Sequence, residues 1–108
     1  MTWSDHIYLS SSVRKNYRRI KWKIMHNIAQ PGVFLLWLPI KASNNPEIIP
    51  SAVLLQADYP KEGYCVIGLA GTRSEALRLM EQITSDMYKK IKKIDYCSFF
   101  DAAKIEDH

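Results

Sequence analysis

The stretch from Tyr64 to Ile91 constrains this chain most, because it reads as a strand, a tight reversal and a long helix in unbroken succession. Tyr64, Cys65, Val66 and Ile67 are β-formers, and Gly68-Leu69-Ala70-Gly71 follows with the small residues that a sharp turn needs. Thr72 and Glu75 then stand at capping-box spacing, in which a hydroxyl and a carboxylate satisfy otherwise unpaired amides of the first helical turn. The apolar positions Ala76, Leu77, Met80, Ile83, Met87 and Ile91 fall on one helical face, with Glu75, Arg78, Gln82, Ser85 and Lys89 opposite. Burying such side chains at about 1.5–3 kcal/mol each is a gross gain on the scale of a domain's net stability, about 5–15 kcal/mol. The stretch therefore explains folding without identifying an activity.

Upstream, the same alternation repeats. His6-Ile7-Tyr8-Leu9 reads as a short first strand, and residues 1–5, like 101–108, are expected to fray. Ser10, Ser11 and Ser12 offer N-caps to a helix running to about Ala29, whose buried stripe is Val13, Tyr17, Ile20, Ile24 and Ile28. Gln30-Pro31-Gly32 ends it. Val33 to Leu38 is apolar on both alternating faces, as an interior strand must be. Lys41 to Asn45 make a polar loop, and a second helix is expected from Asn45-Pro46 or Pro50 through Ile48, Ala52, Val53, Leu55 and Gln56, stopped by Tyr59-Pro60. Beyond Ile91, Lys92 and Lys93 lead to a short aromatic segment, Tyr96 to Phe100.

The sum is one domain over 1–108 of the α/β class. Its order is (β)-α-β-α-β-α, in two or three layers around a narrow, mostly parallel sheet with right-handed crossovers. Such a sheet has exposed edges, which a second copy would extend or cover, so a homodimer is expected; the alternative is a monomer whose Tyr96–Phe100 segment covers the edge. A hydrophobic fraction of 47% and a charged fraction of 24% exclude a disordered or fibrous chain. Fifteen Lys and Arg against eleven Asp and Glu give a net charge of +4, which permits an anionic partner without demanding one. The two cysteines, Cys65 and Cys97, form neither a disulfide framework nor a metal-ligand spacing, so a reducing compartment is expected. The N-terminus lacks a signal pattern, and the longest apolar run is too short to span a bilayer, so the expected location is the cytoplasm.

Candidate sites are weighed against plain structural roles. In the first helix Arg14, Lys15, Arg18, Arg19 and Lys21 surround Trp22 on the side opposite the buried stripe, with Met25 and His26 flanking it. This surface suits a protein partner, since Trp and Arg are enriched at interfaces, or nucleic acid, whose bases stack on aromatics while guanidiniums hold phosphates. The structural alternative packs Trp22 beneath another element of the same chain or of a dimer mate, with the charges solvating the rim. Lys89, Lys90, Lys92 and Lys93 close the last helix, where they complement the negative end of its dipole. Gly71, Thr72, Arg73 and Ser74 occupy a place used for phosphate cradles, though without dinucleotide or P-loop spacing, so a tight turn is the plainer reading. His6, His26 and His108 share no metal spacing, Cys65 reads as a small buried hydrophobe, and Asp58, Asp86, Asp95 and Asp101 define no acid–base pair. No catalytic residue, metal or cofactor is expected. The leading reading is a non-enzymatic interaction or regulatory module, with nucleic-acid binding and phosphate-containing ligands as alternatives.

The blocks Pro31-Gly32-Val33-Phe34-Leu35-Leu36-Trp37-Leu38-Pro39, Ser51-Ala52-Val53-Leu54-Leu55-Gln56 and Val66-Ile67-Gly68-Leu69-Ala70-Gly71, ahead of Ser74-Glu75-Ala76-Leu77, together resemble small uncharacterised bacterial proteins of similar length. The resemblance covers most of the chain. It implies a bacterial, cytosolic protein and brings no activity, ligand or catalytic residue with it.

Overall fold

The computed structural model describes residues 1–28, 30–39, 45–56 and 63–100. In chain order the elements are β1 (Thr2–Leu9), α1 (Ser11–Arg14), α2 (Tyr17–Met25), β2 (Phe34–Pro39), β3 (Glu47–Pro50), a 3-10 turn (Ser51–Leu55), β4 (Tyr64–Ala70) and α3 (Arg73–Ile91). Residues 96–100 are also helical, and Asp95 accepts from the Ser98 amide and hydroxyl at 3.2 and 2.8 Å. β1 starts at Thr2, ahead of the His6 expected from sequence.

The four strands lie in the order β1-β4-β2-β3. β1 and β4 are parallel, whereas β2 runs antiparallel to both its neighbours, so the sheet is mixed and not the narrow, mostly parallel one expected. The difference originates at Ile48 and Ile49. They form strand β3, pairing with Leu36 and Leu35, where the sequence suggested a helix. Pro50 decides between the two: its ring cannot sit inside a helix, but it can end an edge strand. The helix expected through Gln56 shrinks to the 3-10 turn, and Tyr59-Pro60 lies outside the described residues, as does most of the Lys41–Asn45 loop. β2 is interior, as its two apolar faces imply.

β4 continues through Gly68, Leu69 and Ala70, which the sequence reading assigned to the turn. Gly68 is needed for close approach, not for reversal. A Cβ there would lie 3.2 Å from Tyr8 O and 3.3 Å from Leu36 Cβ, so the missing side chain lets β1 and β2 close in from both sides. Leu36 faces Gly68 while Trp37 faces Val66, which leaves Ile67 as an extra residue and shifts the register.

Alternate residues of β2 divide between two core clusters, as the two-residue period of a strand requires. Leu36 and Leu38 join Ile67, Ala70, Ala76, Leu79, Ile83, Met87, Phe99 and Phe100 in the cluster that holds α3 and residues 96–100. Leu35 and Trp37 join Val13, Ile20, Ile24, Ile49, Leu54, Val66 and Leu69 in the cluster that holds α1, α2 and the 3-10 turn. On α3 the buried leucine is Leu79; Leu77, expected in the stripe, is exposed.

The first helix is not continuous to Ala29. Asn16, a residue of low helix propensity, sits at φ −110°, ψ 16° and separates α1 from α2. α2 then stops at Met25 because Asn27 adopts a left-handed conformation, φ 57°, while Ile28 N donates to Lys23 O and Asn27 N to Ile24 O. This is a Schellman motif with asparagine in the glycine position, and it leaves Ile28 exposed instead of buried.

Candidate functional site

The outward side of α2 carries an exposed tryptophan. Ile20 and Ile24 are buried beneath the helix, and at 100° per residue Trp22 points directly away from them. Trp22 is 54% exposed and Met25 57% exposed, so neither packs beneath another described element of the chain. The Schellman turn places His26 over Trp22, with ring centroids 4.1 Å apart and planes 21° from parallel. His26 Nδ1 lies 2.7 Å from Trp22 O and, facing a carbonyl, must be the donor. The indole is thereby held with one face covered by imidazole.

Two arginines share the outward face with this aromatic pair. Arg18 and Arg19 are exposed on the same face one turn earlier, and Lys15 is exposed ahead of the break at Asn16. Lys21 turns aside, its Nζ 5.1 Å from the Trp3 ring centroid. No acidic residue occurs between Asp5 and Glu47, so the basic run from Arg14 to Lys23 has no counter-charge within its own segment. Arg14 does not belong to this face: its Nη2 donates to Leu9 O at 3.3 Å, at the end of β1. Lys89, Lys90, Lys92 and Lys93 lie at the end of α3, which is packed in the other core cluster, so the two basic groups do not merge into one strip.

The Gly71–Ser74 segment is engaged from within. Gly71 N donates to Ser10 Oγ and Glu75 Oε1 at 3.2 and 3.1 Å, and Glu75 N donates to Thr72 Oγ1 at 3.1 Å. The capping box forms with one change, since Glu75 reaches Gly71, one residue ahead of the cap. Ser12 Oγ also donates to Glu75 Oε1 at 2.6 Å. These bonds, from Ser12 first and Ser10 next, hold the Glu75 carboxyl below its usual range. The chain's own carboxylate thus takes the Gly71 amide, and Arg73 and Ser74 are exposed.

The remaining chemistry-bearing residues form no metal-ligand cluster among the described residues. Tyr8 Oη donates to Asp86 Oδ2 at 2.8 Å, and burial, followed by that bond, pushes the phenol above its usual range. Cys65 is half-buried in β4, Cys97 Sγ lies 4.0 Å from Pro39 O, and Asp95 serves as a cap. Asp58, Asp101 and His108 lie outside the described residues. Among the described residues no three His, Cys, Asp or Glu side chains converge as metal ligands, and no helix is long and apolar enough to cross a membrane. Sequence reasoning missed the pairing of Arg14 with Arg78 along one crevice, for which no local signal exists. Compared with family models, curated proteins and solved structures, the chain matches none.

Proposed function

We propose that this chain is a three-layer α/β module that works without chemistry of its own, docking an acidic protein segment on the outward face of α2. The observation that carries the reading is Trp22, exposed and braced by His26, beside exposed Met25 and within a cationic border that has no counter-charge of its own. A large aromatic next to a flexible thioether supplies an apolar anchor, and the guanidiniums of Arg18 and Arg19 supply a rim for carboxylates. Nucleic acid is the second reading, favoured by the stacked indole and imidazole, but Met25 and the convex helix give a base and its backbone no groove to follow.

A second copy is a poorer occupant of this face, because an isologous contact would bring the same cations together. The sheet edges do not require one either. β1 slips out of register between Trp3 and Tyr8 and bears exposed Asp5, while β3 is four residues long, bears exposed Glu47 and ends on Pro50. Those are devices that keep edges from pairing.

Selection of a random peptide library against the immobilised protein tests the reading. Acidic peptides with an aromatic or aliphatic anchor should emerge, and Trp22→Ala should abolish their binding while the circular-dichroism spectrum is unchanged. Peptides without acidic bias, or binding indifferent to Trp22→Ala, would count against it, and preferential capture of labelled oligonucleotide would favour the second reading.

A further inference from the structure

β1 and β4 are neighbouring parallel strands whose connections part company at their carboxyl ends. The chain leaves β1 into α1, in the cluster beneath α2, and leaves β4 into α3, in the opposite cluster. Where adjacent parallel strands send their connections to opposite sides, the diverging turns open a crevice, and α/β proteins bind ligands there. A crevice of about 250 Å³ lies at this point. The β1 side contributes Ser10, Ser11 and Arg14, and one face of α3 contributes Glu75, Arg78 and Gln82. It is smaller than the roughly 300–1,000 Å³ filled by drug-sized ligands.

The geometry points to a binding site for a small carboxylate that bears a neighbouring hydroxyl or amino group, held between Arg14 and Arg78. Two guanidiniums against one carboxylate leave the lining with a single net positive charge, which the monoanion of a hydroxy acid balances and a phosphate ester exceeds; an amino acid, zwitterionic and without net charge, instead sets its carboxylate against the guanidiniums and its ammonium against Glu75. Arg14 is steered by its bond to Leu9 O, and Arg78 lies one turn beyond Glu75. Glu75 is fixed by Ser12 and Gly71 through Oε1 and by Ser10, and the remaining lone pairs of its carboxylate accept from the ligand's hydroxyl or ammonium group, with the Gln82 amide beside it. The site is independent of the α2 face and uses no α3 first-turn amide.

Titration of the ¹⁵N-labelled protein with L-serine and L-lactate, followed by amide NMR, tests this site. One or both should shift the Ser10, Ser11 and Gln82 amides saturably. Arg14→Ala and Arg78→Ala should each raise the dissociation constant by about tenfold or more, the scale of a lost charge-assisted bond. Arg73→Ala, which removes an equal charge outside the crevice, should leave it unchanged. Should an arginine variant lose its dispersed spectrum, Gln82→Ala stands in, with the same weakening expected. The site is refuted if neither compound produces saturable shifts, if acetate or inorganic phosphate binds as well as either, or if affinity survives the crevice substitutions.

Discussion

Ser12 Oγ donates to Glu75 Oε1 across 2.6 Å, and that bond ties the turn after β1 to the first turn of α3. Gly71 lies against the same pair so closely that a Cβ on it would collide with Ser12 Oγ. The bond joins the two chain segments that border the crevice.

The first prediction concerns acid. Glu75 titrates below the ordinary carboxyl range because Ser12 and then Ser10 donate to it, with Gly71 N and Arg78 adding to the effect. The folded state binds that proton less tightly than the unfolded chain. Its stabilisation is therefore complete above the unfolded carboxyl's pKa of about 4.3 and is lost as pH falls through the lower folded value. Ser12→Ala should lower the urea midpoint at neutral pH and make the loss of stability on acidification shallower. Midpoints running parallel to wild type across the acid range would show that the bond contributes nothing.

At the other end of the pH scale, Tyr8 contributes. Burial first, then its bond to Asp86, raises the phenol's pKa. The stabilisation is present below the unfolded tyrosine value of about 10 and is lost as pH rises through the folded one. Tyr8→Phe should cost about 1–2 kcal/mol at neutral pH and lessen the alkaline decline, as measured by urea unfolding at neutral and alkaline pH.

Gly68→Ala should destabilise by about 1–3 kcal/mol, the range for overpacking. The added methyl meets the Tyr8 carbonyl at 3.2 Å and Leu36 on the other side, and the backbone atom cannot swing away as a side-chain tip would. Denaturant titration of the single variant is sufficient to measure this.

Lys92 closes α3 in a left-handed conformation, φ 59°, with its amide donating to Tyr88 O at 3.0 Å. A side chain at that φ is strained, so Lys92→Gly should stabilise by about 1 kcal/mol, read as a higher melting temperature. An unchanged or lower value would mean that the lysine's charge at the helix terminus outweighs the strain.

What the sequence makes legible is what neighbours along the chain decide. Thr72 and Glu75 mark the start of α3 because a cap is a local device, and the two apolar faces of Leu35–Leu38 mark an interior strand because the pleat has a period of two. Ile48 and Ile49 mislead because their strand exists only through pairing with Leu36 and Leu35, and Gly68 misleads because the reason for it lies on two other strands. Asn27 is different: asparagine tolerates the left-handed conformation that stops a helix, so the end of α2 is a local signal in the sequence. Of the candidate site, the basic run and Trp22 are readable from helical spacing. The diversion of Arg14 to Leu9 O, away from Trp22 and into the crevice with Arg78, is tertiary and leaves no trace in spacing.

The most direct measurement is photo-cross-linking in the living cell from a benzoylphenylalanine placed at position 22, compared with one at Leu77, which is also exposed but lies on α3. The account predicts a discrete adduct from position 22 to an acidic protein, weakened by raised salt in the lysate and absent from position 77. Adducts equal at both positions, an adduct to nucleic acid or to a second copy of this chain, or none at all would contradict it.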